Sequence, residues 1–200
     1  MSESMRVREG RRGSWLWAAF LVLLAATLAA GAFLYFRETP RTAAVPYRAF
    51  QPITSWQGSR VSVKLYFPLK DGSALGPETR SIREYPNKAE QARELVGELL
   101  KGPLTEGLIP SLPPDARVKA VFIDKKGTAF VDFSREVQTE FPGGAWTETL
   151  ALYSLTNTLT ANFPEITQVQ VLVEGEVVDT LAGHIDTSRP FQAKTSLNKD

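Results

Sequence analysis

The sequence predicts an α+β domain: two amphipathic helices packed on one face of a largely antiparallel sheet, in the order ββ-α-ββ-α-ββ, preceded by an N-terminal transmembrane helix. Three observations lead there. Residues 15–36 are a charge-free apolar run, two later stretches repeat their apolar residues with a helical period, and the segments around those two alternate apolar and polar residues as strands do. A length of 200 residues leaves room for one domain plus accessories.

The apolar run "WLWAAFLVLLAATLAAGAFLYF" has 22 residues. As a helix it measures roughly 33 Å, enough for a hydrocarbon core of about 30 Å. Ten of its residues are Leu, Val or Phe, which favour insertion by about 3 to 6 kcal/mol together. Trp15, Trp17, Tyr35 and Phe36 stand at its ends, where interfacial aromatics belong. The small residues of "LAAGA" suit a signal peptidase. The length of the run and the bulky aromatics beyond those residues favour a retained anchor over a cleaved signal. Four arginines precede the span and three follow it up to Arg48, so charge asymmetry orients it weakly. A short tail before it and a large domain after it make N-in, C-out the simplest topology.

The expected organisation is therefore a short basic cytoplasmic tail over 1–14, a span over 15–36, a linker over 37–59, a domain over 60–191 and a polar tail over 192–200. Prolines at 40, 46 and 52 make the linker a semi-rigid spacer.

Within the domain, "RVSVKLYFP" places Val61, Val63, Leu65 and Phe67 on one face of a strand, and Asp71-Gly72 marks a turn into "TRSIREY" as the returning strand. "NKAEQARELVGELLKGP" aligns Ala89, Ala92, Leu95, Val96, Leu99 and Leu100 on one helical stripe, with Asn87 as N-cap and Gly102-Pro103 as stop. "RVKAVFID" and "TAFVDFS" form a hairpin through "KKG", whose Gly127 supplies a positive φ. From Ala145 the period is helical again, with Leu152, Leu155, Leu159 and Phe163 in line before Pro164. "ITQVQVLV", the "EGE" turn and "VVDTL" complete the order.

Composition excludes several function classes. Basic and acidic side chains number 23 and 22, so no cationic field recommends nucleic acid. Cysteine is absent and His184 is the one histidine, which removes the usual zinc sites, a cysteine nucleophile and disulfides. No G-x-S-x-G elbow is present. The stretch "AFVDFSREVQTEFPGGAWTET" holds two carboxylates, a hydroxyl and a glycine pair that mimic an active site. Local structure accounts for each. Asp132 is solvated or aimed at the amides of a neighbouring loop, Ser134 caps a strand end, and Gly143-Gly144 lacks the continuation of a phosphate loop. Glu148 reads as an exposed first-turn anion with a weak dipole interaction. Asp124, Asp132 and Glu148 lack calcium-loop spacing. No cofactor or metal is expected.

Several of these pieces resemble the GerMN domain, the sporulation and spore-germination module. They are "LYFP" with "DGSALGPETRSI", "ELVGELLKGPLTEGLIPSLPPDARV", "GTAFVDFSREV", "TNTLTANFPEITQVQVLVEGE" and "LAGHIDTSRPF", in order from Arg60 to Phe191. The resemblance implies a small α/β domain of bacterial envelope proteins, exposed outside the cytoplasmic membrane, without established enzymatic activity, and acting in binding or assembly. Many relatives carry a lipoprotein cysteine or tandem copies, whereas this sequence has one copy after an apolar run. Trp146 stands where a small polar residue is expected.

The leading expectation is a noncatalytic, membrane-tethered binding or assembly module. Its partners would be the bilayer through residues 15–36 and an envelope protein or cell-wall component, with self-association also open. Its candidate interaction residues are Glu78, Arg80, Asp132, Ser134, Trp146, His184 and Asp186. A small-ligand or glycan receptor using Trp146, Tyr153 and Tyr85 is the alternative. A hydrolase using Asp132 and Glu148 as a carboxylate pair ranks third, since it needs those groups to face each other across about 5–9.5 Å.

Overall fold

The computed structural model describes residues 20–28, 30–31 and 58–199. The chain divides into two units, residues 1–55 and 56–200. In the first, residues 20–28 and 30–31 are helical and exposed. The rest of the expected span over 15–36, the tail before it and the linker up to residue 57 lie outside the described residues. Among the described residues no helix is long and apolar enough to cross a membrane.

The second unit opens with a hairpin of β1 (Arg60–Pro68) and β2 (Leu75–Arg83). Their register opposes Leu65 to Glu78 and Val63 to Arg80. Strand alternation therefore puts Glu78, Arg80 and Ile82 on the same inner face as Val61, Val63, Leu65 and Phe67. Helix α1 (Lys88–Leu100) follows, its first amides bonded to the Asn87 side chain at Ala89 N (2.8 Å) and Glu90 N (3.3 Å). Ala92, Leu95, Val96 and Leu99 are buried as the stripe requires.

β3 (Val118–Ile123) and β4 (Thr128–Phe133) form the expected hairpin. Gly127 has φ +83°, and a Cβ there would lie 2.6 Å from the Glu165 carbonyl, so only glycine fits. A short helix α2 (Glu136–Thr139) then precedes α3 (Ala145–Asn162), and β5 (Gln168–Val173) follows. β6 (Glu176–Val177) and β7 (Phe191–Gln192) both pair with β5. The turn into β6 has two residues, Glu174 (φ 54°) and Gly175 (φ 85°), the handedness a tight hairpin needs.

Two expectations, a single sheet and a second amphipathic helix, require correction, while four of the five described strand pairings are antiparallel as expected. Among the described residues the strands form a two-stranded sheet and a five-stranded sheet rather than one. In the larger, β4 and β5 run parallel, because the segment joining them crosses over as helix α3 instead of turning back. α3 is not amphipathic. Leu150, Ala151, Leu152, Leu155 and Leu159 are buried, and so are Ser154, Thr156, Asn157 and Thr158.

The polar residues of α3 have a single explanation in its neighbour. Among the described residues only β2 pairs with β1 as a strand, which leaves its other edge without a strand partner. Ser154 donates to the Tyr66 carbonyl, Thr158 accepts from the Tyr66 amide (3.0 Å), and Asn162 accepts from the Lys64 amide (3.0 Å) while donating to its carbonyl (2.7 Å). Spaced four apart on one helical face, these three side chains take the place of a missing strand. The apolar residues of α3 meanwhile join Ala129, Val131, Phe133, Val169, Val171 and Val173 of the larger sheet in one core.

Candidate functional site

The strand-loop-helix stretch that mimics an active site does not assemble one. Asp132 points to the outer face of β4, opposite its buried neighbours Val131 and Phe133, and its carboxylate accepts from the Gly175 amide at 2.7 Å. Ser134 is buried, and its hydroxyl accepts from the Arg117 amide at 3.0 Å. The nearby Ser134 hydroxyl is the main cause that lowers the pKa of the Glu136 carboxyl. Among the described residues no group of three or more His, Cys, Asp or Glu is placed to hold a metal ion.

Glu148 overturns its sequence reading. It has no solvent exposure. One carboxylate oxygen accepts from the amides of Leu181 (2.9 Å) and Ala182 (3.0 Å), the other from those of His184 (3.0 Å) and Ile185 (3.3 Å). The His184 ring nitrogen Nδ1 stands 3.4 Å from the same carboxylate. Glu148 is thus the anchor of the 181–185 loop, and lies in the core while Asp132 looks out of it. Asp186, at the surface beyond that loop, accepts from the Ser188 hydroxyl (2.6 Å) and amide (2.9 Å), and these two bonds lower its pKa.

On the inner face of the hairpin Glu78 is buried and the Arg80 side chain is 8% exposed, the two paired at 2.6 Å. Arg80 donates to the Glu98 carbonyl (2.9 Å) and the Gly102 carbonyl, capping α1, and meets the Glu98 carboxylate at 3.2 Å. Its guanidinium also lies 5.6 Å from the Phe67 ring centre. Glu78 accepts from the amides of Leu104 (2.8 Å) and Thr105 (2.7 Å). Burial pushes its carboxyl up, but the bonds from Thr105, Arg80 and Leu104 outweigh it and hold the pKa below the ordinary value. Together the two residues fasten the loop after α1.

What that loop presents went unread in the sequence. Leu104 is 84% exposed and Ile109 38%. The loop is tied to the β1–β2 turn by Lys70 N to Gly107 O (2.8 Å) and Ile109 N to Pro68 O (2.9 Å). At the same turn, the Trp146 indole donates to the Gly72 carbonyl at 2.7 Å while half of its surface stays exposed. Leu104 and Ile109, through their amides, and Trp146, through its indole, are thus held near one turn as solvent-facing apolar groups. The signal was present as "PLTEGLIP", an apolar cluster between prolines without helical or strand period. This end of the domain is one full strand, about 27 Å, from Arg60, where the chain enters β1.

The aromatic residues named for a cleft do not converge there. Tyr153 packs edge-on against Phe191 (5.9 Å) under Lys194, and Tyr85 borders a small cavity of about 100 Å³ with Val61, Lys88 and Phe163. A wider, open depression of about 380 Å³ lies between the end of α1 and the start of β3, lined by Gly97, Leu100, Lys101, Ala116 and Arg117.

Fold and surface define a small α+β domain with carboxylate-fastened loops. The family described as Germane, sporulation and spore germination, matches residues 64–179, and the chain belongs to it. Solved relatives are similar. The first GerMN domain of the sporulation protein GerM from Bacillus subtilis shares 25% identity at a TM-score of 0.51, covering 68% of this chain and 98% of that one. The tandem GerMN domains of the same protein share 26% at 0.53, covering 67% of this chain and 46% of that one. A candidate lipoprotein from Clostridium perfringens shares 29% at 0.49, with 67% and 88% covered. A search of curated proteins returns no match.

Proposed function

We propose that this chain is a noncatalytic binding or assembly module of the bacterial cell envelope, held at the cytoplasmic membrane by residues 15–36 with its domain outside. The binding end is the β1–β2 turn with Leu104, Ile109 and Trp146. One observation carries this reading: Leu104 is 84% exposed although both its own amide and the next are fixed by a buried, ion-paired carboxylate. Exposing a leucine forfeits about 1.5–3 kcal/mol of burial, and holding it rigid removes the entropy a partner would otherwise have to overcome. Membership of the sporulation and germination family supports a role outside the cytoplasm.

A photo-crosslinking residue at Leu104 or Trp146 in the full chain, in native membranes, tests the proposal. A discrete protein adduct at these positions and not at Lys64 is expected; equal labelling at all three would reject the binding end. Alkaline carbonate extraction reads the anchor separately, and release of the protein would reject it. The half-exposed Trp146 ring keeps the glycan reading in view. Saturable quenching of its fluorescence by cell-wall fragments would favour that alternative.

A further inference from the structure

We propose that the outer face of the larger sheet, over β3 and β4, binds a neutral glycan: a sugar ring stacks on Phe122 and Phe130 while its hydroxyls bond the charged groups of Lys119, Asp132 and Glu174. This goes beyond the binding end and needs neither Leu104 nor Trp146. Val131 and Phe133 of β4 and Val169, Val171 and Val173 of β5 belong to the core, so strand alternation turns Phe130, Asp132 and Gln170 to the outer face. Over β5 that face is roofed: Gln170 is buried, and its side-chain amide donates to the Thr187 carbonyl at 2.7 Å. Over β3 solvent reaches it, for Phe122 is 63% exposed and Lys119 and Ala120 are exposed with it.

Two rows of side chains lie next to each other there. Phe122 opposes Phe130 across the strands, their ring centres 6.2 Å apart and tilted by 41°. The register slips by one residue between Val118 and Ala120, so Lys119 and Ala120 together oppose Asp132, as at a β-bulge. The Lys119 ammonium meets Glu174 at 2.7 Å. That bond, and to a smaller extent the Asp132 charge, raises the Lys119 pKa. Asp132 accepts from the Gly175 amide through Oδ1, and among the described residues no hydrogen bond reaches its Oδ2. Glu174 is the one non-glycine residue with positive φ among those described (54°), a position that glycine or asparagine fills at less cost. Its carboxylate holds Lys119 with one oxygen and the Arg135 amide with the other, at 3.0 Å.

Charge selects the occupant. An ammonium and two carboxylates share this row, so a ligand strongly charged in either sense meets a group of its own sign. A bilayer or an apolar protein face would strip water from all three without replacing it. A sugar does neither. The C–H bonds on one side of its ring suit the negative face of an aromatic ring, and its hydroxyls donate to Oδ2 of Asp132 and accept from the ammonium of Lys119. Ala120, small and level with Asp132, leaves room between the stacking row and the charged row.

Calorimetry on the full chain, in a detergent without a sugar headgroup, tests this with a neutral N-acetylglucosamine tetramer. Saturable binding is expected, weakened about tenfold by Phe122→Ala and by Asp132→Ala, and retained by Phe122→Tyr and by Lys64→Ala. Affinity should hold as salt rises, because the ligand carries no charge. Thermal melts of the same samples confirm that each variant is folded. No saturable binding by the wild-type chain would overturn the proposal, as would binding that Phe122→Ala leaves unchanged while Trp146→Phe abolishes it. A protein adduct from a photo-crosslinker at Phe122, without tetramer binding, would assign the face to a protein and overturn it likewise.

Discussion

Two loops of this domain are held by buried glutamates, and they are held differently. The 103–109 loop rests on Glu78, which gives two of its acceptor positions to backbone amides and faces the Arg80 guanidinium at 2.6 Å. The 181–185 loop rests on Glu148, which accepts four amides and has the His184 ring 3.4 Å away in place of a formal countercharge. A buried carboxylate needs compensation for lost hydration. A formal countercharge supplies it in the first case, and converging peptide dipoles near a helix N-terminus supply it in the second. The comparison teaches that an acid without a cationic partner in sequence can still be a structural anchor. It also separates the loops by purpose: the ion-paired one projects an exposed Leu104, while the amide-bound one draws Leu181 into the core.

The sharpest way to break this comparison is Glu148→Ala. It leaves four amides without their acceptor in a fully buried site, so a loss of about 3–5 kcal/mol is expected in the urea midpoint. Fast amide exchange at 181–185 should accompany it. A loss under about 1 kcal/mol would show that water replaces the carboxylate without penalty. Glu78→Ala comes next, at about 2–4 kcal/mol, because Arg80 keeps the Glu98 carboxylate and two carbonyls when its other partner is gone. Exchange should rise at Leu104 and Thr105 and not at 181–185; a rise in both loops would mean that they unfold as one unit.

Acid sharpens the contrast further. The folded pKa of Glu78 is lowered from 4.5, so its contribution is fully present above that value and is lost as pH falls through the lower folded pKa. Stability of the wild-type protein should therefore drop below about pH 4.5 more steeply than that of Glu78→Gln, a difference read from thermal melts across the range. Parallel pH curves would exclude the carboxylate as the source. The smallest effects belong to the two residues that merely look catalytic. Ser134→Ala should cost about 1–2 kcal/mol, since it strands the Arg117 amide in a partly buried place. Asp132→Asn should cost about 0.5 kcal/mol, as its oxygen still accepts from Gly175 at an exposed turn.

Much of the fold was legible in the sequence because its signals are local. The alternation in β1, the stripe and Asn87 cap of α1, and Gly127 in the β3–β4 turn each depend on a few neighbouring residues whose sterics and hydrogen bonds act within a turn or two. The inward face of Glu78 and Arg80, named in sequence only as interaction candidates, came from the register of the first hairpin, which sets them opposite Leu65 and Val63. What the sequence could not express was partnership at long range. Ser154, Thr158 and Asn162 look like the polar side of a surface helix until β1 lies beside them with an unpaired edge. Glu148 looks like a first-turn anion until a loop more than thirty residues later turns its amides inward. Period and capping determined the elements; the direction of the β4–β5 pair, the burial of α3 and the two loop anchors were decided by the tertiary structure, because backbone groups left over by local structure must find their partners wherever the packed chain brings them.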